Sequence, residues 1–203
     1  MPRLALALCA LWFVSLFVVR SVVQLRKTGS TGVKGFHGPV GSLPWIAGVS
    51  ASVGLLSAPL GPLGALLEWR AGDLLASSEP LHLLGAALAV LGIAGALVAQ
   101  LSMGDSWRVG VDATETTELV TGGLFAWVRN PIFTFIGVSL LGLVLLVPNA
   151  LSIAAAAFTM LGIELQVRAV EEPYLASTHG DEYRRYASRV GRFVPGLGRL
   201  TDG

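Results

Sequence analysis

Charged residues are sparse along this chain, and their positions divide it into apolar stretches of helix length. Leu4 to Val19 is uncharged and is bounded by Arg3 and Arg20. It is short for a span of about 20 residues, and an Arg20 that snorkels to the interface would let the helix run on to about Val23. Leu43 to Leu67 is apolar but carries Pro59 and Pro62, which kink or split a helix. Leu81 to Leu101 is rich in small residues, among them Gly85, Gly92 and Gly95, which let helices approach closely. Ile132 to Val167 is broken only at Pro148-Asn149, a turn signal. Its arms, Pro131 to Val147 and Ala150 to Val167, therefore form a helical hairpin, with Pro131 suited to a first helical turn. The pattern predicts an all-α polytopic membrane bundle of about five transmembrane helices, ending in this hairpin and an interfacial amphipathic helix.

That last helix is expected over Glu182 to Val190, after a break at His179-Gly180 and with Asp181 as N-cap. Tyr183, Tyr186, Ala187 and Val190 share one face, and Arg184, Arg185 and Arg189 lie off it. This periodicity predicts a helix in the membrane interface, tyrosines towards lipid and arginines towards phosphate. Phe193-Val-Pro195 closes the fold. Between the spans, Arg20 to Ser42 is a basic connector in which Gly32, Gly35, Gly38 and Gly41 recur. No strand precedes them, so they read as a flexible loop and not a dinucleotide fingerprint. Residues 1–101 form the N-terminal spans and 102–203 the region of candidate chemistry.

Composition sharpens this. The chain has 203 residues, 53% hydrophobic and 13% charged, where a soluble domain carries about a quarter charged. The net charge of +1 gives no reason to expect nucleic acid. The single cysteine, Cys9, excludes an intrachain disulfide and a cysteine-built metal site and reads as a packing residue. His37, His82 and His179 are scattered without ligand spacing, so no metal is expected. No small-residue cleavage site follows the first apolar run, which favours a retained helix over a signal peptide. With five spans, Arg3 and Arg70 lie on one side and the other Lys and Arg on the opposite side. The positive-inside rule then puts the C-terminus and both hairpin ends in the cytoplasm.

Candidate chemistry sits at those two ends. Glu164, Arg168, Glu171 and Glu172 fall at i, i+4, i+7 and i+8 and are expected to share a helix face. An i,i+4 pair contributes only about 0.2–0.5 kcal/mol, too little to account for four charges at a membrane edge. They are expected to point into a polar pocket, the plain alternative being a solvated face. At the other end stand Thr121-Gly122-Gly123 and Arg129-Asn130-Pro131. Paired glycines permit close approach of the backbone to a ligand. Arg129 and Asn130 can bind a carboxylate or an amide-like ring edge.

The run Leu119-Val-Thr-Gly-Gly-Leu-Phe-Ala-Trp-Val-Arg-Asn-Pro131, the hairpin, Glu171-Glu172, Gly180-Asp-Glu-Tyr183-Arg-Arg-Tyr186 and Phe193-Val-Pro195 together resemble the isoprenylcysteine carboxyl methyltransferase family. That family is related to the phospholipid N-methyltransferases. The resemblance covers about the last hundred residues. It implies an integral-membrane methyltransferase that uses S-adenosylmethionine without a Rossmann domain. It further implies that Thr117, Glu118, Leu119, Val120 and Phe125, then Asn130, Pro131, Ile132 and Phe133, and finally Glu171, line the cofactor. Arg168 and Glu172 stand as the catalytic candidates, Arg168 to position an anionic acceptor. Trp107 and Arg108 are further pocket candidates. Family members often have His at the position of Asn130 and Tyr at that of Phe133. The acceptor is expected to be a lipophilic or lipid-linked carboxylate, thiol or amine, and no residue stands out as a base for the last two. Two other readings fit the pattern: an NADPH-dependent membrane reductase of the sterol or steroid type, and a non-catalytic membrane scaffold.

Overall fold

The computed structural model describes residues 1–32, 38–69, 78–107 and 118–200. Among them the regular structure is helical. Helix α1 runs Pro2–Thr28 and includes a π-helical segment, Val14–Val19. It passes well beyond Val23 and stops at Gly29, a left-handed C-cap that glycine adopts without strain. Arg20 does not snorkel outward; it is buried. The second apolar stretch is split as its prolines require, into α2 (Leu43–Ser57) and α3 (Leu60–Leu66). Then come α4 (Glu79–Ser102), α5 (Pro131–Leu146) and α6 (Ala150–Gln166). A second π-helical segment, Val167–Glu171, joins α6 to α7 (Glu172–Arg189).

Among the described residues, four helical stretches are long and apolar enough to cross a membrane: Pro2–Thr28, Leu43–Leu66, Glu79–Ser102 and Ala150–Arg189. The hairpin's first arm, Pro131–Leu146, is a shorter apolar helix. In the continuous Ala150–Arg189 stretch the apolar part is α6, and the charged residues from Glu172 onward lie beyond it.

Lipid is as apolar as leucine, so helices in a bilayer associate through close packing and polar ties. Here small residues make that packing possible. A Cβ at Gly92 would fall on the backbone nitrogen of Ser139, and one at Gly142 on that of Ala89, so α4 and α5 touch backbone to backbone, antiparallel. The same holds for α2 and α6: a Cβ at Gly54 would meet Thr159 N, and one at Gly162 would meet Ala51 N. The two hairpin arms therefore pack chiefly on different partners, α5 on α4 and α6 on α2. Asn149 secures the turn. Its Oδ1 accepts from Ser152 N at 2.9 Å, capping α6, and its Nδ2 donates to Gly61 O at 2.9 Å across to α3. Cys9 packs in the core with Trp12, Leu16 and Ile93.

Gly142→Leu pushes a side chain into the Ala89 backbone and is expected to cost at least about 1–3 kcal/mol, as overpacking does. The thermal midpoint of the detergent-solubilised protein should fall accordingly. Gly122→Ala, where a Cβ meets nothing within 4 Å, should leave it unchanged.

Candidate functional site

Both hairpin ends reach the same mouth of the bundle, and the C-terminal segment ties them together. Gly123, at φ +60°, opens a short 3-10 turn, Gly123–Ala126. The chain then runs beside the segment after α7. Arg129 N donates to Gly191 O at 2.8 Å, Asn130 N to Arg192 O at 3.1 Å, and Thr134 Oγ1 to Phe193 O at 2.8 Å. Phe193 thus closes the fold against the first turn of α5.

Behind this seam lies a charged cluster. Glu172 Oε1 accepts from Arg129 Nη2 at 2.7 Å and from Arg192 Nε at 2.8 Å, and Oε2 accepts from Arg192 Nη2 at 2.8 Å. Arg129 also donates through Nη1 to Ala187 O and Val190 O, at 2.9 and 2.5 Å, and through Nη2 to Gly198 O at 3.0 Å. The guanidinium thus sits at the C-terminal end of α7, where the helix dipole favours a cation, and brings its carboxylate partner from the start of the same helix. Burial alone raises the Glu172 pKa. Hydrogen bonds from Arg192 and then Arg129, with the charges of both, outweigh that and hold it below the usual glutamate value.

One guanidinium can reach both ends of α7 only because the helix doubles back. At about 1.5 Å per residue, a straight helix would separate Glu172 from Ala187 by about 22 Å. The bend is at Gly180, where φ is 52° and ψ −125°, a region that L side chains rarely adopt. The expected break at His179-Gly180 is present. Asp181, however, accepts from Arg184 through its side chain instead of capping the helix.

In front of the cluster is an open cleft with an empty volume of about 930 Å³, open solvent at its mouth included. Its polar lining includes Glu118, Glu171, Glu172, Arg129 and Asn130. Leu119, Val120, Phe125, Pro131, Ile132 and Phe133 supply apolar lining. The folded-back α7 adds Tyr174, Leu175, Tyr183 and Tyr186. Tyr186 donates its hydroxyl to Phe125 O at 2.6 Å. Burial, the largest cause for both, pushes the Tyr183 and Tyr186 phenols up to about 12, so both are neutral at physiological pH.

The structure therefore gathers Glu118, Leu119, Val120, Phe125, Asn130, Pro131, Ile132, Phe133, Glu171 and Glu172 around one cavity. Thr117 and Arg108 lie outside the described residues. Arg168 is elsewhere: its Nε donates to Glu164 Oε1 on an exposed surface, and it does not line the cleft. The expected common face of the four charges is thus divided. The π-helical segment alters the angular step between Glu164 and Glu172, so one pair faces outward while Glu171 and Glu172 turn inward. Trp107 is buried away from the cleft. The tyrosine face of the last helix packs on protein and not on lipid: Tyr183 is 1% exposed, and it forms with Tyr186 and Ala187 a buried cluster covered by Leu119, Leu175 and Ala176. Sequence reasoning missed Met103, Ser106, Tyr174 and Leu175 as lining residues. The i,i+3 tyrosine spacing was a signal for a buried face, but not for what would cover it.

The sequence profile of the phospholipid methyltransferase family matches residues 80–182. No curated protein matches the chain. Among solved structures, the eukaryotic intramembrane Ras methyltransferase ICMT (isoprenylcysteine carboxyl methyltransferase) superposes with a TM-score of 0.61 at 23% identity. The match covers 96% of this chain and 66% of that one, and at this identity it is a likeness of fold.

Glu172→Ala leaves two buried guanidiniums without their carboxylate and should cost about 3–5 kcal/mol in a thermal-unfolding measurement. In the wild type the depressed pKa makes this stabilisation complete above the ordinary glutamate value of about 4.3. It is lost as pH falls through the lower folded value, so Glu172→Gln should flatten the acid limb of the stability profile. Gly180→Ala meets no neighbouring atom yet should destabilise by about 1–3 kcal/mol, through backbone strain alone.

Proposed function

The chain belongs to the phospholipid methyltransferase family, and on that premise we propose that its cleft binds S-adenosylmethionine and directs methyl transfer to a lipophilic acceptor taken from the bilayer. The observation that carries this reading is the convergence of both hairpin ends on one cleft lined by acidic and apolar residues.

The residues present fit the cofactor. Its sulfonium and ammonium groups outnumber its one carboxylate, so a net-cationic ligand suits a site lined by three acids, Glu118, Glu171 and Glu172. Phe125, Phe133, Leu119 and Val120 offer the flat apolar walls that an adenine ring needs, and Asn130 supplies an amide edge. When bound, the cofactor supplies an electrophilic methyl group on a cationic sulfur.

The protein's part is alignment and exclusion of water. Holding two reactants in line contributes up to about 7–11 kcal/mol in well-oriented systems. Glu171 is assigned to the cofactor. Glu172 acts at one remove, as a positioning residue that fixes Arg129 and so the Asn130-Pro131 wall. Arg168, paired outside the cleft, has no direct role here. Met103, Ile132 and Phe133 line the cleft from the ends of the apolar helices α4 and α5, which gives a membrane-dissolved acceptor a path to it. The side that holds the site also holds most of the Lys and Arg, and we assign it to the cytoplasm. Carboxylate, thiol and amine acceptors all remain within this proposal. Tyr183 and Tyr186, with pKa values of about 12, do not serve as bases at neutral pH.

Titration calorimetry of the purified protein in detergent should show binding of S-adenosylhomocysteine, and none of NADPH. Charged hydrogen bonds contribute about 1.5–3 kcal/mol, so Glu171→Ala should weaken binding about tenfold or more. Arg168→Ala should leave the affinity near wild type. No heat with S-adenosylhomocysteine at millimolar concentration would overturn the assignment.

A further inference from the structure

We infer that the first helix sets the shape of the cleft through Arg20, a positioning residue outside the segment that matches the family. That segment begins at residue 80. Yet Arg20 in α1 is 2% exposed, and burying an arginine among apolar spans is costly unless it does something specific. Two contacts show what it holds. Its Nη2 donates to Gly104 O at 2.7 Å, and its guanidinium lies over the Trp107 ring, 4.5 Å from the centroid.

Gly104 and Trp107 bracket the short turn that follows α4, and residues in or beside that turn, Met103 and Ser106, line the cleft. Gly104 is in the left-handed region at φ +56°, so the turn departs from helix at the residue whose carbonyl accepts from Arg20. One helical turn earlier the same two helices are tied again. Gln100 Nε2 donates to Leu16 O at 3.1 Å, within the π-helical segment of α1. Both ties join residues 84 apart in sequence, so α1 and α4 run parallel here and are fixed in register. From above, Gly32 closes over the cluster at φ +75°: a Cβ there would stand 2.9 Å from Trp107 Cζ3. Trp107 is therefore held by α1 and by the chain just after it, and the cleft wall built on Met103 and Ser106 is held by Trp107 and Gly104.

Arginine supplies both contacts at once, a directional N–H to a carbonyl and a flat cation on an indole face. Lysine can supply only part of this, and methionine neither. The wall should loosen in that order, without loss of the bundle, because methionine is at home in a membrane helix and the α4–α5 and α2–α6 contacts do not involve Arg20.

The test uses the full chain with Ser106→Cys as a reporter; the native Cys9 is buried in the core. In Arg20→Met, maleimide labelling of the reporter thiol at a temperature well below unfolding should accelerate about tenfold or more, as a local opening that leaves the global fold intact. Arg20→Lys should give an intermediate rate and Trp107→Phe a rise of its own. Gly142→Leu, destabilised far from the turn, should label as the parent does. Equal labelling of the Arg20→Met and parent proteins would overturn the inference. So would an equal rise in Gly142→Leu, which would mark a merely structural effect. A second arm rests on the cofactor assignment: Arg20→Met should weaken S-adenosylhomocysteine binding, with restoration in part by Arg20→Lys. If the parent itself binds no S-adenosylhomocysteine, the cofactor assignment fails, and the labelling arm still decides the role of Arg20.

Discussion

Glu172 accepts three hydrogen bonds from two arginines, one 43 residues before it and the other 20 residues after it. This contact joins the start of the hairpin, its far end and the C-terminal segment in one cluster. Each group would be costly to bury alone. Together they are held by geometry, two N–H donors from Arg192 to the two carboxylate oxygens and a third from Arg129. Arg129 also donates through Nη1 to the carbonyls of Ala187 and Val190 at the end of α7, where a helix C-terminus leaves such groups unsatisfied. One side chain thus neutralises an acid and finishes a helix.

The shape of the cleft follows from that cluster. Because Arg129 grips both ends of α7, the helix must fold at Gly180, and folding there lays Tyr183 and Tyr186 over Phe125 and Leu119. Because Arg129 is fixed, Asn130 and Pro131 start α5 at the cleft wall. The bundle beneath is rigid for a separate reason. Its two antiparallel pairs meet at glycines with backbone against backbone, so neither hairpin arm can slide without a clash. Polar residues close the site at one end of a scaffold that small residues have already locked.

Much of this could be read from the chain itself. Uncharged runs announce spans because the bilayer tolerates few charges, and Pro148-Asn149 announces a turn because proline ends a helix and asparagine begins one. The stretch from Glu118 to Phe133 and the acids at 171 and 172 belonged together once the hairpin was recognised. What stayed hidden depended on contacts between distant segments. An i,i+4 spacing made Arg168 look equivalent to Glu172, but a π turn between them sends one outward and the other inward, and nothing in Val167–Glu171 signals that turn. The tyrosine face of α7 has the same periodicity whether it is covered by lipid or by protein. Arg20 at the edge of an apolar run looks like an interfacial anchor, whereas in the fold it points inward to the carbonyl of Gly104, 84 residues on, and the ring of Trp107.

The same logic separates two kinds of charged residue in this protein. Glu164 and Arg168 pair across one helical turn on an exposed surface, where such a contact contributes a few tenths of a kcal/mol and needs no partner elsewhere. Arg20, Arg129, Glu172 and Arg192 are buried or nearly so, and each bonds to a group distant in the sequence. In a chain with so few charges, a buried one marks a place where two segments must keep a fixed separation. Three of these residues frame the cleft and the fourth holds its wall from the side. The cleft is thus bounded by charges placed for position: Arg129 and Glu172 line it and hold each other, and Arg20 fixes the turn that adds Met103 and Ser106 to its wall.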